Sequence, residues 1–288
     1  MDRLPVSTIA IAGLGLIGGS MALALRRSGP HTLYGIDTDD HTLAAALDKG
    51  AVDKAGGPEL LRDADILILA LSPEAAIAFL TENAGLLKAG ALVTDVCGVK
   101  RAVVKALTPV CREHGLSFIG GHPMAGKEKS GFSAADAGLF KGASYILTPT
   151  EDTPEQAVET MRALAASLGC ARLTVTSPAR HDRMIAFTSQ LPHVLAGAYV
   201  KSPCCPFHNG FSAGSYRDVS RVASVDEKLW SQLFLLNADD LCAEIDTLIE
   251  HLTDCREAVA SGDRERVETV LREGRLIKQN EGRFESNT

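Results

Sequence analysis

Apolar positions recur along the chain in two rhythms, and the rhythm changes near residue 176. Before that point, short continuous apolar runs alternate with stretches of helical period. The runs predict strands over Thr8–Ala12, Thr32–Ile36, Ile66–Leu71, Ala91–Thr94, Ser117–Gly120, Ser144–Leu147 and Arg172–Val175. Ile66-Leu67-Ile68-Leu69-Ala70 has no polar alternation, as expected of parallel strands covered on both faces. Helical patterns lie between the runs, including Gly19–Arg27, His41–Lys49, Lys100–Cys111 and Pro154–Leu168. The last reads as opening with Thr153 as N-cap, Pro154 at the first helical position and Gln156 completing a capping box. Such alternation predicts an α/β fold with an N-terminal doubly wound, Rossmann-type sheet.

After Val175 the strand signals stop. Ser177-Pro178 is a cap-plus-proline helix start, and the helical pattern runs to about Lys201 before the Pro203-Cys204-Cys205-Pro206 loop. Ser224-Val225-Asp226-Glu227 reads as a further capping box. A helix from it is expected to pass Leu252, with Leu241, Ile245, Leu248 and Leu252 on one face. A third helical stretch covers roughly Cys255–Gln279, and the polar residues Gly282 to Thr288 read as a frayed end. The expected organisation is therefore a Rossmann-type domain over residues 1–176 and an all-helical substrate and dimerisation domain over 177–288. Long apolar stripes on so few helices are best buried helix against helix, which predicts a homodimer. No appended regulatory domain is expected after the helices.

A length of 288 residues suits two domains. A net charge of −7 without a long Lys/Arg run argues against nucleic acid and anionic membranes as partners. The seven cysteines show no CxxC pair and no matching histidine spacing, so no metal site is expected. They read as reduced thiols of a cytoplasmic protein. The uncharged stretch Ile9–Leu25 contains four glycines, which a strand-turn-helix explains better than a membrane span.

Within that stretch, Ile9-Ala10-Ile11-Ala12 leads into Gly13-Leu14-Gly15-Leu16-Ile17-Gly18. The first glycine permits a tight turn, the second lets a pyrophosphate approach the backbone, and the third allows close helix–strand packing. The anion then sits on the helix N-terminus, against Gly15, Leu16 and Ile17. Asp37 closes the second strand and can accept both ribose hydroxyls. Thr38-Asp39-Asp40 follow without a base to receive a 2′-phosphate, so NAD is the expected cofactor rather than NADP. Ser72, at the end of the Ile66–Leu71 run, opens over the same crevice. A second concentration of chemistry is Gly120-Gly121-His122-Pro123-Met124-Ala125-Gly126-Lys127-Glu128-Lys129-Ser130-Gly131. A histidine directly after a strand end lies where substrate and nicotinamide meet, and its ring can accept a proton from an alcohol losing hydride. Taken alone, a histidine there is as readily structural as catalytic.

This segment closely resembles the prephenate dehydrogenase family, which includes the arogenate and cyclohexadienyl dehydrogenases. The likeness also covers the Gly13–Ser20 turn, Asp37, Thr94-Asp95-Val96-Cys97-Gly98-Val99-Lys100, His181-Asp182, Ser189-Gln190-Leu191-Pro192-His193 and Tyr216–Ala223. It implies that His122 hydrogen-bonds the 4-hydroxyl of prephenate and is the catalytic base, with His193 a second active-site histidine. It implies that Arg221 binds the substrate carboxylate, and that Glu128 and Asp218 join it in an ionic network formed partly across a dimer. Gln190 stands where many relatives have histidine, and its amide can contact substrate but cannot titrate. Cys97-Gly98 stand where many relatives have Gly-Ser, so a serine hydroxyl near His122 is absent. His181-Asp182, near a helix start, are lesser candidates that cap and dipole chemistry could explain. The implied reaction is hydride loss from C4 to NAD, proton loss to His122 and departure of CO2, giving 4-hydroxyphenylpyruvate for tyrosine biosynthesis. The sequence leaves prephenate against arogenate open. A hydroxyacid dehydrogenase of the same plan and a non-catalytic NAD sensor remain as alternatives.

Overall fold

The structure, a computed structural model, describes residues 4–280, and the stretch 282–288 expected to fray lies outside the described residues. Among the described residues eight strands form one sheet: β1 (Thr8–Ala12), β2 (Thr32–Ile36), β3 (Lys54–Gly56), β4 (Ile66–Leu69), β5 (Leu92–Asp95), β6 (Ser117–Pro123), β7 (Ser144–Thr148) and β8 (Arg172–Val175). Their order is β3-β2-β1-β4-β5-β6-β7-β8. The chain winds outward from β1 to β3, then returns to lay β4 on the other side of β1. This reversal opens a crevice at the carboxyl ends of β1 and β4, where such sheets bind ligands.

Helices cover both faces: α1 (Leu16–Ser28), α2 (Asp40–Asp48), α3 (Pro73–Asn83), α4 (Arg101–Glu113) and α5 (Glu155–Ser167). The period-2 geometry of the strands divides the core between them. Ile9, Ile11, Ile66 and Ile68 share one cluster with Met21 and Leu25 of α1 and Met161 and Leu164 of α5. Ala10, Ala12, Leu67 and Leu69 join Ala76 and Leu80 of α3 and Val103 and Leu107 of α4 in the other. Complete burial of each large apolar side chain contributes about 1.5–3 kcal/mol.

Three features of the sheet half differ from the sequence expectation. β3 is an unforeseen strand of three residues, Lys-Ala-Gly, too short and too polar to show a strand rhythm. β7 runs antiparallel to β6, because the 124–143 segment holds only a single 3-10 turn (Phe132–Ala134) and no crossover helix. α5 starts at Glu155 behind Pro154, not on a Thr153 cap. The Thr153 hydroxyl is occupied elsewhere, accepting from the Thr150 N–H at 2.9 Å and donating to the Phe118 carbonyl at 3.0 Å.

Beyond the sheet, α6 (Pro178–Ile185), a π-helical turn (Ala186–Gln190) and α7 (Leu191–Tyr199) form one helical run. Ser177 caps it as expected, accepting from the Arg180 N–H at 3.2 Å. The π turn precedes Pro192, which has no N–H to continue a regular ladder. α8 (Gly214–Ser220) and α9 (Glu227–Leu235) follow. Asp226, not Ser224, caps α9, accepting from the Leu229 N–H at 3.0 Å. The helix also stops well short of Leu252, because the chain turns at Leu236-Asn237 and buries the Asn237 amide. α10 (Ala238–Ser261) and α11 (Arg264–Asn280) are separated at Gly262, whose φ of 69° is left-handed, so Cys255 lies inside α10 rather than opening a helix. By compactness the described chain forms two units, one reaching Ala238 and one starting at Asp239, so α6 to α9 belong with the sheet. No helix among the described residues is long and apolar enough to cross a membrane.

Candidate active site

The glycine turn is shaped for an anion. Gly13 takes a φ of +89°, and its N–H donates to the Ile36 carbonyl at 2.8 Å. A Cβ on Gly18 would stand 1.9 Å from the Gly13 carbonyl oxygen, so α1 can seat against the turn only without a side chain there. Gly15 is different: a Cβ on it would meet nothing within 4 Å, because it faces the open crevice. α1 starts at Leu16 with no side chain on its free N–H groups, which leaves them for a bound anion. Asp37 stands at the end of β2. Its carboxylate accepts from the Leu14 N–H at 2.7 Å and the Asp39 N–H at 3.1 Å. A carboxylate has about four lone-pair positions, so acceptor capacity remains for two hydroxyls. These residues fit a dinucleotide.

A cavity of about 900 Å³ begins at Gly15, Leu16 and Ile17, passes Ser72 and reaches His122. Ser72 precedes α3, and its hydroxyl makes no cap bond. His122 sits near the carboxyl end of β6, opposite Ile146 of β7. Burial, with His181 and Lys100 adjoining, holds its ring well below the ordinary histidine range. Behind it lies a buried polar knot. The Lys100 ammonium pairs with the Asp95 carboxylate and donates to the Gly121 carbonyl at 2.7 Å. Asp95 also accepts the Cys97 N–H at 2.9 Å. Asp182 accepts the Lys100 N–H at 2.7 Å and the Arg101 N–H at 2.8 Å, and thereby caps α4. His181 lies between this acid and His122, with Nδ1 at 2.7 Å from Asp182 Oδ1 and Nε2 at 2.9 Å from His122 Nδ1. Cap chemistry is thus present at His181-Asp182, but it serves a different helix from the one they sit on.

The far wall of the cavity comes from the helical run. Arg221 Nη1 donates to Glu128 Oε1 at 2.6 Å, with both side chains more than half exposed. The backbone N–H of Glu128, and then Arg221, hold that carboxyl below its ordinary range. His193 follows the π turn on α7 and its Nδ1–H donates to the Ser189 carbonyl at 2.7 Å, which leaves Nε2 as an acceptor. Burial lowers the His193 pKa, partly opposed by that carbonyl, and Arg221 lowers it further. Its ring packs against Trp230 of α9, 3.7 Å between centroids with the planes tilted by 31°.

Most of the residues singled out in the sequence converge here. Gly15, Leu16, Ile17, Ser72, His122, Glu128, His193 and Arg221 all line one cavity. Two do not. Gln190 is buried, and its amide is used up: Nε2 donates to the Leu233 carbonyl at 2.9 Å, and Oε1 accepts from Asn237 at 2.8 Å. These bonds tie the helical run to Leu233 and Asn237. Asp218 is exposed on α8 and does not join the Arg221–Glu128 pair within one chain. Trp230 also lines the cavity, and Lys100 and Asn237 join buried hydrogen bonds beside it; the sequence reading assigns none of the three a site role. Trp230 had a usable signal, being the single tryptophan of the chain on a helix capped by Asp226.

Comparison with known proteins gives the same picture. A family model described as prephenate dehydrogenase, nucleotide-binding domain, matches residues 21–174, and one described as prephenate dehydrogenase, dimerization domain, matches residues 177–273. The prephenate dehydrogenase of Bacillus subtilis is 36% identical over 267 residues, covering 90% of this chain and 71% of that protein. The solved prephenate dehydrogenase of Aquifex aeolicus in complex with hydroxyphenyl propionate and NAD+ superposes with a TM-score of 0.86 at 28% identity, covering 97% and 99% of the two chains. The arogenate dehydrogenase of Synechocystis gives 0.78 at 29% identity, covering 98% and 100%. With its Rossmann-type sheet followed by helices and its family-model matches over both parts, this chain belongs to the prephenate dehydrogenase family.

Proposed function

We propose that the chain is an NAD-dependent prephenate dehydrogenase acting in tyrosine biosynthesis. Residues 1–176 bind the dinucleotide, and residues 177–288 supply substrate and dimer contacts. The observation that carries this reading is the position of His122, at the end of β6 in the same cavity as the Gly15 turn and Arg221. Bound NAD would supply the acceptor for the C4 hydride of prephenate, whose loss with CO2 leaves aromatic 4-hydroxyphenylpyruvate.

The chain's own residues do the rest. His122 takes the proton of the 4-hydroxyl at Nε2, and burial keeps it neutral and ready to do so. The Arg221 guanidinium exchanges Glu128 for a substrate carboxylate. That exchange explains how an acidic protein holds a dianion: the attraction is local and confined to the cavity. His193, packed against Trp230, shapes the substrate end and presents an acceptor nitrogen. The A. aeolicus relative, solved with NAD+ and an aromatic acid, supports both the cofactor and the substrate class.

Ile249, Leu252, Val259, Leu271 and Ile277 remain exposed on α10 and α11, which supports a homodimer. Free thiols at all seven cysteines support a cytoplasmic setting. The test is NADH formation with prephenate and with arogenate side by side, and then with NADP in place of NAD. Faster turnover of prephenate with NAD is expected. A preference for arogenate or NADP would overturn the finer assignment, and turnover of neither substrate would overturn the whole.

A further inference from the structure

A base works only if its proton sits on the far nitrogen, and a chain of two residues behind His122 decides that. Asp182 is completely buried. Its carboxylate is held by the Lys100 and Arg101 N–H groups and by Arg101 Nε at 3.4 Å. An ionised carboxylate can only accept, so the 2.7 Å contact requires His181 to carry its proton on Nδ1. Neutral His181 then has a bare lone pair on Nε2. That atom lies 2.9 Å from His122 Nδ1, and two lone pairs cannot share such a contact. His122 must donate from Nδ1, which leaves Nε2 as its basic nitrogen. No neighbour offers a substitute: Cys97 Sγ is turned to the Leu71 carbonyl at 3.6 Å, and Gly98 has no side chain.

We infer that His181, anchored by Asp182, is a positioning residue that locks His122 in the Nδ1–H tautomer and turns the Nε2 lone pair to the substrate hydroxyl. This rests on the reading of His122 as the base. In the step itself the substrate O–H bond breaks, its electron pair stays on oxygen, and the proton forms a new N–H bond at Nε2. His122 becomes an imidazolium, and its Nδ1–H bond to His181 becomes charge-assisted. The charged groups around the pair are Asp182, Arg101, Lys100 and Asp95. Lys100 is paired with Asp95, which leaves Asp182 as the acid behind His181. Burial is the main force keeping His181 neutral, with Asp182 opposing it and Lys100 adding to it. The arrangement resembles the buried acid that orients a catalytic histidine in serine proteases, where the wrong tautomer lowers kcat about 10⁴-fold.

Nitrogen-15 NMR of the full-length protein, with His122→Asn used to assign the ring, reads the tautomer directly. The expected spectrum has His122 protonated at Nδ1 and bare at Nε2. His181→Leu should lower kcat by about 10²–10⁴-fold while leaving the NAD Kd and the prephenate KM unchanged. His181→Gln should recover most of the rate, since its amide can donate to Asp182 and accept from His122 at once. A His122 ring protonated at Nε2 would overturn the inference. So would an unchanged kcat in His181→Leu, or a folded His181→Gln no better than a folded His181→Leu. The spectrum of the unaltered protein decides alone if neither variant folds. A correct tautomer in a protein that turns over no prephenate would instead refute the proposed function.

Discussion

Replacing His122 with asparagine separates the two jobs of this ring. An asparagine amide nitrogen stands close to the place of Nδ1 and can still donate to His181 Nε2, now 2.9 Å away. The buried Asp182–His181 pair therefore stays satisfied, and the fold loses little. Nothing occupies the place of Nε2, so the proton acceptor for the substrate hydroxyl is gone. Removing a general base lowers rates by about 10²–10⁴-fold. At 1.36 kcal/mol per decade this raises the barrier by about 2.7–5.4 kcal/mol. The assay is NADH formation at saturating prephenate, paired with an NAD titration read by Trp230 fluorescence, since the only tryptophan lines the cavity. His122→Asn should show a greatly reduced kcat and an unchanged NAD Kd. An unchanged kcat in the folded variant would refute the role of His122.

Arg221→Ala should raise the prephenate KM strongly while leaving NAD affinity intact, and an unchanged KM would remove Arg221 from the substrate site. Two glycines of one turn should behave oppositely. Gly18→Ala forces a methyl within 1.9 Å of a carbonyl oxygen and should destabilise by about 1–3 kcal/mol or more in thermal or urea unfolding. Gly15→Ala meets no neighbour, so it should keep stability yet weaken NAD by about tenfold or more; equal stability losses in the two variants would contradict this. The pH profile follows from the lowered pKa of His122. The neutral ring is the active form, so kcat/KM should stay flat as the pH falls through about 6.5 and decline only below it. Folding stability falls in the same direction, but from a higher pH than activity does. It is full above that value and declines as the pH drops below it, because the unfolded chain binds protons the buried rings refuse. An acid limb of kcat/KM at or above pH 6.5 would contradict the burial argument.

The sequence made the nucleotide half legible because its chemistry is local. A strand, a glycine turn, a helix and Asp37 lie within 37 residues, and the backbone positions them without help from distant segments. The substrate half was legible only as motifs. Arg221 meets Glu128 across 93 positions, a contact that no periodicity announces. The contacts the sequence leaves illegible are those set by burial. The sequence offers Gln190 as a substrate contact, and nothing in it announces that Leu233 and Asn237 bond its amide. His181-Asp182 looked like a local cap, whereas the acid caps α4 from 82 residues away and points the histidine at His122. Helix ends failed where two cap residues competed within a few positions, as with Ser224 and Asp226. The break at Asn237 escaped notice because it follows from buried hydrogen bonds, not from a glycine or proline.

The proposed reaction is an oxidative decarboxylation run by His122 and Arg221 beside bound NAD. The most direct measurement is the stoichiometry of a single reaction mixture holding the protein, NAD and prephenate. NADH, CO2 and 4-hydroxyphenylpyruvate should form in equal amounts, and the yield should collapse with His122→Asn. NAD binding without NADH from prephenate or arogenate, or NADH without CO2, would contradict the account.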